Sequence, residues 1–142
     1  MGYETISAIT GNIETALKNE GLNVTRKALD SSGSLPAGLM PLAQVSYNGE
    51  SFETPFGERP SYSEASFTIK IILPEQPDCP ALTDEQMWAH QAREAMTDGA
   101  LNSGGLASAK PVTGVRIPGF SIEGNGGFSK ISMDVKVRYR ES

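Results

Sequence analysis

From Ile131 to Arg140 apolar and polar residues alternate without a break. Ile131, Met133, Val135, Val137 and Tyr139 fall on one face, and Ser132, Asp134, Lys136, Arg138 and Arg140 on the other. Successive side chains of a strand point to opposite faces, so this period of two predicts a half-buried strand. Ala65, Phe67, Ile69 and Ile71, alternating with Ser66, Thr68 and Lys70, predict another, stopped by Pro74, Pro77 and Pro80. Ala43, Val45 and Tyr47 predict a third, ending at Asn48-Gly49. Asn-Gly suits a tight hairpin because both central positions of a type I′ turn need positive φ. Beyond it, Phe52 is followed by Pro55, Gly57 and Pro60, which leaves room for at most a short return strand in an irregular protruding loop near 48–61. Weaker strand patterns lie at Leu22–Leu29 and at Val112–Ile117, the latter interrupted by Gly114. The segment Gly119–Gly127 reads as a glycine-rich connection.

Two stretches carry the helical period instead. Ile6, Ile9, Ile13 and Leu17 share one stripe and predict a helix over Thr5–Asn19, with Gly21 as its stop. Thr83-Asp84-Glu85-Gln86 has the form of a capping box, with Leu82 and Met87 as the matching hydrophobic staple. It predicts a helix running to about Thr97 that buries Trp88, Ala92, Ala95 and Met96. Ala100–Ala109 reads as a small, flexible segment around Gly104-Gly105. The elements together predict an α+β fold in the order α-β-β-(β)-β-α-β-β. A small mixed, mostly antiparallel sheet packs against two helices in a single domain spanning 1–142.

Composition narrows the setting more than the chemistry. A chain of 142 residues with 38% hydrophobic and 20% charged residues has the make-up of one ordinary domain that needs no disulfide or metal to fold. The lone cysteine, Cys79, has no internal partner to bridge. No apolar run is long enough for a membrane helix, and the first residues lack the pattern of a secretory signal. The net charge of −5 is unevenly spread: residues 1–108 hold 14 acids and 6 bases, and residues 109–142 hold 3 acids and 6 bases. A cationic strand face in an acidic chain is either an ordinary solvated surface or a patch that meets an acidic partner, such as a neighbouring copy. The overall acidity, with no dense Lys/Arg cluster, disfavours nucleic-acid binding.

Candidate chemistry is sparse. One histidine, His90, and one cysteine are too few for a zinc site of the usual kinds. A Cys79/His90 nucleophilic pair has no identified oxyanion partner. The glycines of Gly119–Gly127 lead into a strand, whereas a phosphate loop ends in Gly-Lys-Ser/Thr and leads into a helix. The residues thus predict no catalytic, cofactor-binding or metal site.

Element order, length and the closing Val135-Lys136-Val137-Arg138-Tyr139-Arg140 pattern resemble the tail terminator proteins of long-tailed bacteriophages over nearly the whole chain. The resemblance implies a virion structural protein of the tail or neck, assembled in the host cytoplasm, with neither active site nor cofactor. It also implies a ring, in that family a hexamer, that caps the tail tube and joins it to the head connector. The implied partners are further copies of the chain, a tail tube protein and a head–tail connector protein, with no membrane and no sequence-specific nucleic acid. The irregular 30–64 region departs from the family pattern. Two other readings stay open: another head–tail joining or neck protein, and a small soluble ligand-binding or enzymatic domain. In a ring, Asn48, Phe52, Phe56, Arg59, Lys136, Arg138 and Arg140 are expected at or near intersubunit or tube-facing surfaces.

Overall fold

The first stripe of isoleucines forms the expected helix. In a computed structural model describing residues 2–25, 41–53, 62–74, 83–125 and 128–140, α1 spans Gly2–Asn19. Ile9, Ile13 and Leu17 are completely buried, and Ile6 packs against them half-covered. The helix ends in a Schellman motif: Leu22 N–H donates to the Leu17 carbonyl at 3.2 Å and Gly21 N–H to the Lys18 carbonyl at 3.0 Å. Gly21 takes φ +95°, which the motif requires and glycine reaches without strain.

Five strands form one sheet in the order β1-β2-β3-β5-β4. They are β1 (Asn23–Thr25), β2 (Leu42–Glu53), β3 (Tyr62–Pro74), β4 (Val112–Asn125) and β5 (Phe128–Arg140). β1 runs parallel to β2, and all other pairs are antiparallel. The sheet is mixed and mostly antiparallel, with helices on one face, so the expected α+β class holds. Ile131, Met133, Val135, Val137 and Tyr139 of β5 are all buried, facing Ala65, Phe67, Ile69 and Ile71 of β3. Together with α1 and α2 (Thr83–Ala95) they make one core cluster. Among the described side chains the second face is polar apart from the Tyr62 ring and from Leu42 and Ile72, a buried cross-strand pair outside that cluster.

Several expectations need correction. Asn48-Gly49 is not a hairpin turn. It lies inside β2, where Tyr47 pairs with Phe67 and Gly49 with Ser66, leaving Asn48 as the extra residue of a β-bulge. Gly49, at φ +115°, supplies the conformation the bulge needs. The dipeptide's positive-φ preference serves a bulge here because the strand continues: Glu50–Glu53 pair with Tyr62–Ala65 rather than entering a protruding loop. There is accordingly no separate return strand between β2 and β3 among the described residues, and 54–61 lie outside them. Similarly, Gly119–Asn125 is strand, not connection. β4 runs through Gly114, Pro118 and Gly119, with register shifts between Val112 and Gly114 and between Arg116 and Gly119. Each shift moves the alternation out of phase, which hid a 14-residue strand from a period-two reading.

The helical parts are corrected too. α1 starts three residues earlier than Thr5, and α2 ends at Ala95, two short of Thr97. α2 buries Ala89 and Ala92, Trp88 is half-buried, and Met87, the expected staple residue, is exposed. Leu82 and the side chain of Thr83 lie outside the description. Ala100–Ala109 contains ordered structure: α3 (Asp98–Leu101), capped by Thr97 Oγ1, which accepts from Ala100 N–H at 3.1 Å, then a 3₁₀ turn over Gly104–Leu106. Leu101 and Leu106 plug the core, and Asn12 of α1 donates to the carbonyls of Leu101 at 2.8 Å and Ser103 at 3.0 Å. The side chain of Asn102 then binds Val112 twice. Its Oδ1 accepts from Val112 N–H at 2.9 Å, and its Nδ2 donates to the Val112 carbonyl at 3.0 Å.

Candidate intersubunit surface

Alternation along β5 fixes where its cations go. With the apolar residues committed to the core, Lys136, Arg138 and Arg140 must project from the side of the sheet opposite the helices. Their immediate partners are in the same chain. Lys136 Nζ donates to Ser66 Oγ at 2.8 Å. Arg140 donates to the Ala109 carbonyl at 3.1 Å. Arg138 reaches past β3 to Glu53 on β2, donating through Nε at 3.1 Å and Nη2 at 2.9 Å, one to each carboxylate oxygen. On the way its guanidinium lies 3.9 Å from the centre of the Tyr62 ring. Such a two-point pair over an aromatic face suits arginine and not lysine.

The consequence for protonation follows the geometry. Hydrogen bonds from Arg138 hold the Glu53 carboxyl below its ordinary value, and Glu53 in turn raises Arg138. Because the folded value of Glu53 is depressed, its stabilising effect is present above the unfolded carboxylate value, about 4.3, and lost as pH falls through the folded value. Glu53→Gln is therefore expected to lower the urea midpoint slightly at neutral pH, by an amount that vanishes once the pH falls below the folded value of Glu53. The same difference should shrink in molar salt, since both side chains are largely exposed. A difference unchanged under acid or salt rules the ion pair out as its source.

Asn48 joins this network. Its Nδ2 donates to Thr68 Oγ1 at 2.6 Å, and Thr68 Oγ1 lies 3.4 Å from Asp134 Oδ1. Arg116 on β4 sits 3.5 Å from Glu64 on β3. Phe52, by contrast, belongs to the helix-covered side and is 55% exposed at its margin. Nearby, Glu50 binds two tyrosines, accepting from Tyr47 at 2.9 Å and from Tyr139 at 2.5 Å. Burial, reinforced by Glu50, pushes the Tyr47 phenol above its usual value. The structure thus brings Asn48, Lys136, Arg138 and Arg140 onto one sheet face and sets Phe52 on the other. Phe56, Arg59 and Cys79 lie outside the described residues. His90 is an exposed residue of α2 whose ring meets Phe120 edge-on at 5.7 Å between centres.

Glu50, Glu53, Tyr62 and Thr68 escaped sequence reasoning. Glu50 and Glu53 fell in a segment read as loop, and only knowledge of the Asn48 bulge would have put them in a strand. Among the described residues no three His, Cys, Asp or Glu side chains gather as a metal site. No protein-family model matches the chain, and no curated protein matches its sequence.

Proposed function

We propose that this chain is a phage virion structural protein, a tail terminator that forms a ring, caps the tail tube and joins it to the head connector. The observation that carries this reading is the division of the sheet. Helices cover one face, while the other presents, among the described residues, a polar surface of long strands whose charged and hydroxyl side chains are linked into a network. A rigid platform of that kind suits stacking against a flat assembly partner, where polar contacts fix orientation. The element order and the closing V-x-V-x-Y strand support the same assignment. Ring subunits can present unlike surfaces to successive neighbours, which fits the contrast between an acidic body and a cationic last strand.

The test is direct. Purified chain mixed with tail tubes and imaged by negative stain is expected to show rings at tube ends and to stop further tube growth. A protein that never associates with tube ends, at any ratio, defeats the assignment. Binding to the connector alone would instead make it a different neck protein.

A further inference from the structure

The sheet's two outer strands are unequal partners for one another. β1 pairs only with Leu42–Gln44, so among the described residues no strand pairs with Val45–Glu53 on the side away from β3. At the opposite edge, Asn102 occupies the amide and carbonyl of Val112, and no described strand pairs with the rest of β4 on the side away from β5. Unpaired strand edges are templates for another chain. Proteins that keep an edge to themselves guard it, and Pro118 with its bulge does so in mid-β4. The run Gly119–Asn125 pairs with β5 without a shift.

Direction decides what can be added. β2, β3, β5 and β4 alternate in direction across the sheet, so β4 runs opposite to β2. Placing the β4 edge of one copy beside the β2 edge of the next, with the same face up, therefore gives an antiparallel pair. The side chains agree. On the helix-covered face both edges carry apolar groups that their own helices leave incompletely covered: Tyr47, 45% exposed, and Phe52 on β2, and half-buried Phe120 and Ile122 on β4. Charge agrees as well, since β2 and β3 hold three acids and one base, whereas β4 and β5 hold five bases and two acids.

We propose that copies of this chain join head to tail by strand addition, the Gly119–Asn125 edge of β4 pairing antiparallel with Val45–Glu53 of the next copy's β2. Because β1 already holds Leu42–Gln44, the incoming strand is staggered toward Glu53. The contact is heterologous: each subunit uses one edge as donor and the other as acceptor, and the chain of contacts closes into a ring or runs on according to the rotation per step. The inference deepens the ring assignment and rests on it for the expectation that copies assemble.

A mixing experiment tests it with the full-length chain. Phe52→Lys blocks the β2 edge at an exposed site, and Ile122→Lys blocks the β4 edge with a residue that natural edges use as a guard. Mass photometry and sedimentation from micromolar to millimolar concentration are expected to show wild-type assemblies and monomers for each variant alone. An equimolar mixture should give heterodimers and nothing larger, because one intact β4 edge meets one intact β2 edge. Each block should raise the self-dissociation constant at least tenfold. Thermal melts confirm folding; if Ile122→Lys fails to fold, the uncharged Ile122→Thr takes its place. A wild type that stays monomeric to millimolar concentration overturns the proposal, as does either variant assembling alone or a mixture that forms no heterodimer. Rings that cap tail tubes yet ignore both blocks overturn the strand addition and leave the terminator assignment standing. Heterodimers from a protein that ignores tail tubes do the reverse.

Discussion

Replacing Tyr139 with alanine is expected to destabilise the protein by about 3–5 kcal/mol, the usual cost of deleting a large buried aromatic side chain. The ring is completely buried beneath the helices, opposite Val112 on β4 and Ser63 on β3, and its hydroxyl donates to Glu50. Alanine leaves a cavity between three strands and removes one of the two phenols that bind the Glu50 carboxylate. Tyr139→Phe separates these effects. It keeps the packing and loses only the hydrogen bond, so about 1–2 kcal/mol is expected, the upper part of the range because the acceptor is charged. Urea unfolding of the three proteins at neutral pH measures both. An alanine variant within about 1 kcal/mol of wild type contradicts the packed position assigned to this side chain.

Asn102→Ala is expected to cost about 2–3 kcal/mol, with a fall in melting temperature of roughly 3 °C for each kcal/mol in a domain of this size. The side chain ties the end of α3 to the sheet, holding Val112 through both its amide and its carbonyl. Alanine leaves a buried residue with two unmet backbone groups, and the asymmetry between making and breaking a hydrogen bond makes that the expensive outcome. Asn102→Asp keeps the acceptor for Val112 N–H but sets an oxygen against the Val112 carbonyl, so it should fall no nearer to wild type than alanine does. Hydrogen exchange gives a local readout: the Val112 amide should lose protection in Asn102→Ala while the Ile131–Val137 amides retain most of theirs. Uniform loss across β5 would mean that the contact supports the whole sheet and not its edge.

How far the fold could be read from the sequence depended on whether periodicity stayed in phase. β5 alternates from Ile131 to Arg140 and β3 from Ala65 to Ile71, and their buried faces follow from that alone, although each strand begins three residues earlier, at Phe128 and Tyr62. α1 was legible from four spaced apolar residues and a glycine stop. β2 and β4 were cut short because a bulge adds one residue and inverts the pattern beyond it. Asn48-Gly49 carries the same local preference whether the chain reverses or merely kinks, so nothing within the dipeptide distinguishes the two. The segment after Gly99 looked mobile because its residues are small. Its order comes from Asn12, about ninety positions away, a distance at which local pattern has no purchase. The cationic face of β5 was legible as a face, but its ties to Glu53 and Tyr62 were not, since they depend on which strands lie beside it.

Strand order also sets the time at which this domain can form. β5 follows β3 and β4 in the chain yet lies between them, so until residues 128–140 have been synthesised β4 has no partner strand and β3 has only β2. A nascent chain lacking that stretch holds β4 with no sheet to join, while the β1-β2-β3 part of the sheet is open on the side that β5 later fills. Completion of the core then waits for β5, and it must close contacts between distant parts of the chain, which slows the reaction. A nascent chain stalled before Phe128 should be open to protease and to chaperones, whereas release of the finished β5 should close the sheet in a single cooperative step.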